Sequence, residues 1–445
     1  MSAPLSDRLS TTRQLSLASF WFGISFLWGS FLAVVLPFIL LPEHPGPGNP
    51  ALVAASDKNT ALAVLEGLGL VLAIVVQPAA GALSDRLRTR WGRRRPLILL
   101  GAAGGVAALL LMVSAASFWW VVGAYCLLQF CMNVGQGAYQ GLMPDRVGSD
   151  QRGSASGWLG VATLSGQVAG VLAGGWLAPR AALVPIAAVV LVTALITVFF
   201  NPEPPLPPAT RRERPTLQRS LAEVRGYVAE FRRYPDFCWV VLSRFLAYTG
   251  LACIQRFAAN YLRDTFHDYH VFGINLGGAQ AATGIVFAVV ILCGLLATYP
   301  AVRLSERTGR RPILVAATVV GAAGSALFLV AGSLTVVVLV AMLVGVAWGM
   351  LVSVDWAYMV DLAPRDRSGK FLGFSNVATA GSQAAAPFAL GPVIDAVNRS
   401  TGTGGYKVLF AAAAIFMLAG GAVLAQVRPR VAPGSGELVL ASASD

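Results

Sequence analysis

Charge is what this chain lacks most. Only 12% of its residues are Asp, Glu, Lys or Arg, about half the share of an ordinary soluble domain. With 56% hydrophobic residues and a mean hydropathy of +0.67, the chain has more apolar surface than a core in water could hide, so its solvent is lipid. Histidine is nearly absent: His44, His267 and His270 are all three, and all fall in loops. The five cysteines, Cys126, Cys131, Cys238, Cys253 and Cys293, sit in apolar runs without metal-ligand spacing. They read as small hydrophobic side chains, which excludes a disulfide framework and a zinc cluster. A phosphate-binding glycine loop and a nucleophile constellation are also missing, so an enzyme is not expected. The first 14 residues are polar and the next apolar run is too long for an h-region, so no cleavable signal peptide is expected.

What is present is a series of long apolar runs. About 20 apolar residues make one membrane-spanning helix, and lipid leaves no other backbone-satisfied choice for such runs. Twelve spans are predicted, roughly at 15–41, 59–84, 96–117, 119–144, 153–179, 181–200, 237–262, 276–302, 312–331, 335–361, 371–394 and 408–427. The uncharged stretch from Pro312 to Val354 is too long for one span. It is divided at the small-residue turn "AGSLT" (331–335).

Twelve spans put both termini on one side, and the positive charges say which. Of 33 arginines and lysines, 26 lie in segments on the termini's side: Arg8 and Arg13, six in "GALSDRLRTRWGRRRP" (81–96), Arg146 and Arg152, seven between 211 and 233, and the rest after spans eight, ten and twelve. Five lie on the other side: Lys58, Arg180, Arg263, Arg399 and Lys407. Positive loops stay inside, so a multi-pass protein of the cytoplasmic membrane with both termini cytoplasmic is predicted. The net charge of +12 and the pI near 10 are then consequences of topology, and nucleic acid is not a partner.

The chain also repeats itself. "NPEPPLPPATRRERP" (201–215) is the one long polar break, and "TLQRSLAEVRGYVAEFRR" (216–233) after it has the pattern of an amphipathic helix on the inner leaflet. The predicted organisation is a six-helix bundle over 1–200, a cytoplasmic linker at 201–236, a second six-helix bundle over 237–430 and a tail at 431–445. "LMPDRVGSDQRGSASG" follows span four and "YMVDLAPRDRSGKFLG" follows span ten, so Asp145 matches Asp361 and Gly153 matches Gly369 at one constant offset. Gln167 and Gln383 share that offset. "AVRLSERTGRRP" (301–312) echoes the arginine hairpin. Parallel repeats of this kind build transporters whose site lies between the halves near the bilayer midplane.

On these residues the chain resembles members of the major facilitator superfamily over nearly its full length. The family carries G-x-L-x-D-R-x-G-R-R between spans two and three. The second copy here keeps that spacing, with Glu306 in the acidic place before Gly309, Arg310 and Arg311. The first copy is lengthened by "LRTRW" between Asp85 and Gly92. In that form "VQPAAGALSDRLRTRWGRRRP" (76–96) is similar to the proton-coupled sucrose carriers and the glycoside–pentoside–hexuronide:cation symporters. The resemblance implies an all-α membrane fold of two pseudo-symmetric six-helix bundles. It also implies a cytoplasmic gate built from Gly81, Asp85, Arg86, Gly92, Arg93, Asp145, Arg152, Glu306, Arg310, Asp361 and Gly369. Within that gate Asp85 would meet the start of span eleven near Gly369 in the outward-open state, and Arg93 would reach Asp145. The other reading of these arginines is that they only set topology.

Four charges fall inside the predicted spans: Glu66, Arg244, Arg256 and Asp355. Each costs roughly 3 kcal/mol or more on insertion scales, which marks it as functional by default. Arg244 and Asp355 lie at similar depth and are expected to pair. Glu66 and Arg256 lie toward the outer ends of spans two and seven and are expected to gate across the halves. Either pair could equally be a static brace. Proton coupling is assigned to these four groups, with Glu66 and Asp355 as the groups that titrate, and no other cofactor is expected. Sodium fits less well, because the related sodium users group acids on spans two and four and span four has none before Asp145.

Span four carries Gln129, Asn133, Gln136 and Gln140 on one face. Amides both donate and accept, which suits sugar hydroxyls, although interhelical bonding would also satisfy them. Span one offers Trp21, Ser25 and Trp28 on one face, for stacking on a sugar ring or for the interfacial belt. The expected substrate-binding set is Ser25, Trp28, Gln129, Asn133, Gln136, Gln140, Gln167, Asn376 and Gln383. The expectation is a monomeric secondary transporter working by alternating access, a proton-coupled symporter of a sugar or glycoside. The alternatives are proton-antiport efflux of an amphipathic compound, or a non-transporting lipid- or pigment-handling factor that kept the fold. Reporter fusions test the topology: a fluorescent protein should be bright, and a periplasmic phosphatase silent, at both termini. A phosphatase active at either terminus would overturn the predicted orientation.

Overall fold

The computed structural model describes residues 8–148, 150–203, 234–362 and 368–427, with side chains throughout except at 144, 368–370, 372–374, 376, 377 and 384. The expectations for the side chains of Gly369 and Asn376, for the amphipathic helix at 216–233 and for the tail at 431–445 lie outside the described residues.

Twelve long helices follow one another: α1 (Thr11–Leu40), α2 (Lys58–Arg86), α3 (Arg95–Val113), α4 (Phe118–Arg146), α5 (Arg152–Trp176), α6 (Pro179–Phe200), α7 (Pro235–Thr265), α8 (Ala279–Thr308), α9 (Arg310–Leu327), α10 (Leu334–Leu362), α11 (Ser368–Thr401) and α12 (Gly404–Val423). A two-stranded hairpin, β1 (His270–Val271) and β2 (Ile274–Asn275), joins α7 to α8. Ten of the twelve are long and apolar enough to span a membrane on composition alone. The other two, α5 and α11, are richer in Gly and Ser, which lowers their hydropathy.

Local chemistry sets the ends. Ser10 and Ser117 accept the backbone N–H of Arg13 and Trp120 at 3.4 and 3.2 Å, capping α1 and α4. In both copies of the basic hairpin, the glycine before the next helix takes a left-handed φ, +97° at Gly92 and +89° at Gly309, which a side chain would oppose. The break at 331–335 falls where expected, between the 3₁₀ turn Phe328–Val330 and α10. Two boundaries differ. α1 contains a π-helical turn, Phe31–Val35, just before Pro37; proline cannot donate back into the helix, and the wider turn absorbs the lost bond. α11 runs to Thr401 rather than ending near 394. Its last two turns carry Asp395 and Arg399, which read from the sequence as loop charges but find partners in the other half.

The apolar core divides in two. One cluster is drawn from α1–α6 and the segments beside them, with Phe20, Phe31 and Tyr125 fully buried in it. The other is drawn from α7–α12, around Phe257, Phe371 and Tyr406. Between them lie only small bridging clusters, such as Ala33, Val34 and Val171 against Phe287 and Ile291. The halves meet through α2 against α11 and α5 against α8. Glycines set the closest approaches within each half. A methyl group at Gly166 or Gly170 on α5 would strike the carbonyls of Phe22 or Phe26 on α1, and one at Gly349 on α10 would strike the backbone of Gly294 on α8. Gly349→Val should therefore lower stability by about 1–3 kcal/mol, the usual cost of overpacking. A methyl group at Gly46 would meet open space, so Gly46→Ala should leave it unchanged. Thermal melts of the purified protein in detergent check both, and equal melting temperatures for the three proteins would remove the packing argument.

Candidate functional site

The polar groups gather at three levels along the bundle. At the end bearing the arginine hairpins, the basic end, the focus is Arg94. Its side chain is only 8% exposed, with Nη2 2.7 Å from Asp85 Oδ1 and Nε 3.0 Å from Asp145 Oδ2, and its Nη1 donates to the Ser84 hydroxyl at 2.5 Å. The guanidinium lies over Gly141, whose missing side chain leaves the room. Arg93 pairs with the same Asp145 oxygen at 2.6 Å from the solvent side. The Glu203 carboxylate accepts the backbone N–H of Arg93 and of Arg94, at 2.5 and 2.9 Å, beside Gly92. In the second copy Arg310 pairs with Asp361 at 2.5 Å. Gly81 packs α2 close to Gly137 of α4. Arg86, Arg152 and Glu306 are exposed.

The expected contact of Arg93 is present, and a second arginine joins it. Arg93 does touch Asp145, but the buried hub is Arg94. The signal was available: the offset that relates Asp145 to Asp361 also relates Arg94, not Arg93, to Arg310. Asp85 bonds within its own half, and its side chain is 56% exposed.

Within the spans the four charges form the two expected pairs, but the pairs differ in kind and in depth along α7. Arg244 Nε lies 3.2 Å from Asp355 Oδ2 and donates to Thr379 Oγ1 at 2.7 Å, so α7, α10 and α11 are joined inside one half. The rings of Tyr248 and Trp356 flank the same guanidinium at 5.5 and 5.7 Å. Glu66 of α2 and Arg256 of α7 meet across the two halves, Oε1 to Nη1 at 3.0 Å, and Arg256 Nη2 reaches Gln383 Oε1 at 3.3 Å.

Arg256 of that cross-half pair lines a central cavity of about 320 Å³. Trp28, Trp348 and Phe287 supply its aromatic wall and Gln167, Gln255, Gln383 and Arg256 its polar groups, with Leu251, Ile254 and Val344 among the aliphatic remainder. Trp28, Gln167 and Gln383 thus stand where the sequence reading put them. Gln255 and Trp348 were missed. Gln255 was overshadowed by its charged neighbour, and Trp348 lies in a charge-free run with no periodic signal. The span-four stripe is a correction. Gln129 donates to the Tyr125 hydroxyl at 2.7 Å, and Asn133 Nδ2 donates to Gln129 Oε1 at 3.1 Å. Both are buried and neither lines the cavity; Gln129 lies against Gly69 of α2 in its own half. Gln136 is half-buried and Gln140 exposed, and neither lines the cavity. Ser25 packs under Gly166 of α5 and does not line it either. Trp21 donates to Thr163 Oγ1 at 2.7 Å and stacks on Tyr139.

A repeated twelve-helix bundle with a central cavity between its halves is the architecture of a membrane transporter for small solutes. The chain belongs to the Major Facilitator Superfamily, whose family model matches residues 46–387 and 240–442. It is 24% identical over 334 residues to the "Multidrug resistance protein MdtG" of Citrobacter koseri, covering 72% of each chain. It is 29% identical over 145 residues to the "General alpha-glucoside permease" of Schizosaccharomyces pombe, covering 29% of this chain and 26% of that one. Among solved structures, the nucleoside transporter NupG superposes with a TM-score of 0.71 at 14% identity, covering 95% of this chain and 100% of that one. A bacterial homologue of the human lysosomal transporter Spinster, in an inward-facing and unoccupied conformation, superposes at 0.68 with 15% identity, covering 94% and 96%. A D-xylose–proton symporter gives 0.61 at 17% identity, covering 91% and 96%. The protein is therefore a transporter in the lipid bilayer and not an enzyme.

Removing Arg94 would leave Asp85 without its cation and Asp145 with Arg93 alone, and would empty the buried space over Gly141. Arg94→Ala should reduce the amount of folded protein in the membrane and lower its stability by about 3 kcal/mol, the scale of a broken buried ion pair. Arg93→Ala, at the wetter position, should cost under about 1 kcal/mol. Fluorescence size-exclusion yield and melting temperature check the order, and the reverse ranking would return the hub to Arg93.

Proposed function

We propose that the protein carries a sugar or glycoside together with a proton across the cytoplasmic membrane, exposing the central cavity alternately to its two sides. The observation that carries this reading is the Glu66–Arg256 pair, which joins the halves and whose Arg256 lines the cavity. In that position one proton can decide whether the halves stay tied. Ionised Glu66 holds Arg256 across the interface. A solute oxygen that takes over the Arg256 donors leaves the carboxylate without its counter-charge in a dry place, where accepting a proton removes the cost of the charge. Binding, protonation and release of the halves then become one event. The neighbouring amides Gln167, Gln255 and Gln383 match hydroxyl groups, and Trp28 and Trp348 match the flat face of a sugar ring or its apolar substituent.

The Arg244–Asp355 pair has another place in this scheme. It stays inside the carboxyl-terminal half and is wrapped by two rings, which suits a brace that keeps α7, α10 and α11 together while that half moves as a body. The positive-inside reading makes the basic end cytoplasmic. The ion pairs joining the halves, Lys58–Asp264, Arg399–Asp57 and Arg256–Glu66, lie at the opposite end and beside the cavity. Asp85 and Asp361, on the basic end, are exposed. The arrangement supports a state closed to the outside and open to the cytoplasm.

A second reading has its own support. Much of the cavity wall is aliphatic or aromatic, and the longest of the two sequence matches above is to a multidrug resistance protein. Proton-driven efflux of an amphipathic compound would use the same pair in the opposite direction. Uptake of labelled glycosides into cells, set against drug sensitivity of a strain lacking the protein, separates the two.

In proteoliposomes, Glu66→Gln should lower accumulation driven by a pH gradient at least tenfold while leaving solute exchange within about threefold of wild type. Asp355→Asn should lower stability and yield without changing the ratio of accumulation to exchange. Normal accumulation by Glu66→Gln would remove Glu66 from coupling.

A further inference from the structure

The end of the bundle opposite the arginine hairpins holds charged groups that the gate and cavity do not use. Asp395 of α11 is 1% exposed, yet among the described residues its partners are hydrogen-bond donors and not a salt-bridged cation. Its partners are the first turn of α2 in the other half. Oδ2 accepts the Thr60 backbone N–H and the Thr60 hydroxyl, each at 2.7 Å. Oδ1 accepts Asn59 Nδ2 at 2.8 Å and the Asn59 backbone N–H at 3.4 Å. The N-cap residue of α2, Asp57, makes no side-chain cap bond of its own. The first turn of α2 is therefore capped from the opposite half.

The same arrangement occurs a second time with the halves exchanged. The N-cap of α8 is Gly278, which has no side chain to offer. The Glu43 carboxylate, from the segment after α1, accepts the Gln280 backbone N–H at 2.7 Å. Gln280 Nε2 in turn donates to the carbonyls of Gly174 and Leu177 at the end of α5, at 2.6 and 2.7 Å. A helix start exposes backbone N–H groups and a partial positive charge, and a carboxylate there is stabilising. Each half thus leaves one of its interface helices uncapped and supplies the carboxylate that the other half lacks.

We propose that these two reciprocal caps, Asp395 on α2 and Glu43 on α8, form the clasp that holds this end of the transporter shut, and that both must part together when the cavity opens there. The inference rests on the alternating-access reading. It assigns the clasp to two carboxylates held by hydrogen-bond donors, with Lys58–Asp264 and Asn260–Asn59 packed beside them. Such a clasp is easy to reverse. On parting, the freed N–H groups and carboxylates meet water, which replaces each of these bonds, while the neighbouring Lys58–Asp264 pair separates in the same movement.

Hydrogen exchange of the full-length protein in nanodiscs, without solute, tests the clasp. Asp395→Asn removes the charge at α2. Exchange should quicken about tenfold at the start of α2, the size of one lost cap. It should also quicken at the start of α8, which Asp395 does not touch. Glu43→Gln should give the mirror result, and it serves as the independent variant if Asp395→Asn folds poorly. Quickening confined to the helix whose own cap was changed, in both variants, would overturn the clasp and leave two local caps. Transport is read separately. If wild type moves no solute while the exchange pattern is as expected, alternating access with this cargo fails and the clasp stands; if transport is normal and the two helix starts loosen independently, the clasp fails and the transport reading stands.

Discussion

Inside lipid a charge has to find its partner within the protein, and that constraint organises this molecule. Water would hydrate an arginine anywhere on a soluble surface; the hydrocarbon layer will not. The four charges within the spans therefore form two pairs, and the location of each partner separates their roles. Arg244 and Asp355 lie in one rigid half, so their contact survives any movement of the halves. Glu66 and Arg256 lie in different halves, so their contact cannot. Identical chemistry becomes a brace in one place and a tie in the other.

The same constraint explains why the fold was legible in the sequence and the site only partly so. Spans, their number and the repeat follow from long apolar runs and from arginines kept to one side, both of which are local features. The pairing of Arg244 with Asp355 and of Glu66 with Arg256 was legible because few charges were available and depth along the helix matched them. Side-chain direction was not legible to the same degree. Gln129 and Asn133 sit on one helical face, as their spacing requires, but that face turns toward Tyr125 and Gly69 within its own half. Periodicity gives a face and leaves its neighbour unnamed. Trp348 shows the converse: a cavity residue inside a charge-free run leaves no pattern to read.

Arg94 and Asp395 were missed for different reasons. In the arginine hairpin an insertion separates two alignments of the repeat, one anchored on the glycine and one on the proline. Anchoring on Gly92 selects Arg93, whereas the constant offset, shared by Pro96 and Pro312, selects Arg94. The inserted residues are taken up in the turn around Thr89 and Gly92, so the helix that follows keeps its register and its buried arginine. Asp395 lies one residue past the predicted end of span eleven at 394. Here the helix continues through it, since the carboxylate's partners come from a helix start almost 340 residues earlier in the chain and no local pattern encodes them.

The two ends of the bundle hold their acids differently, and the difference bears on how the molecule moves. At the basic end the ion pairs of Asp145 with Arg93 and Arg94 and of Asp361 with Arg310 lie within one half each, so separation of the halves leaves those pairs intact. At the far end Asp395 and Glu43 are matched to backbone N–H groups of the opposite half, so separation exposes both at once. A contact within a half shapes that half and carries no cost when the halves part; a contact between halves is lost in every cycle and has to be weak enough to lose. Neutral backbone donors meet that requirement better than a buried cation would, because a stranded guanidinium costs far more to leave unpaired than an amide that water can reach. Asp395 and Glu43 resting on helix starts thus add weak contacts to the cross-half ion pairs Lys58–Asp264, Arg399–Asp57 and Glu66–Arg256, the mixture that a reversible two-sided carrier requires.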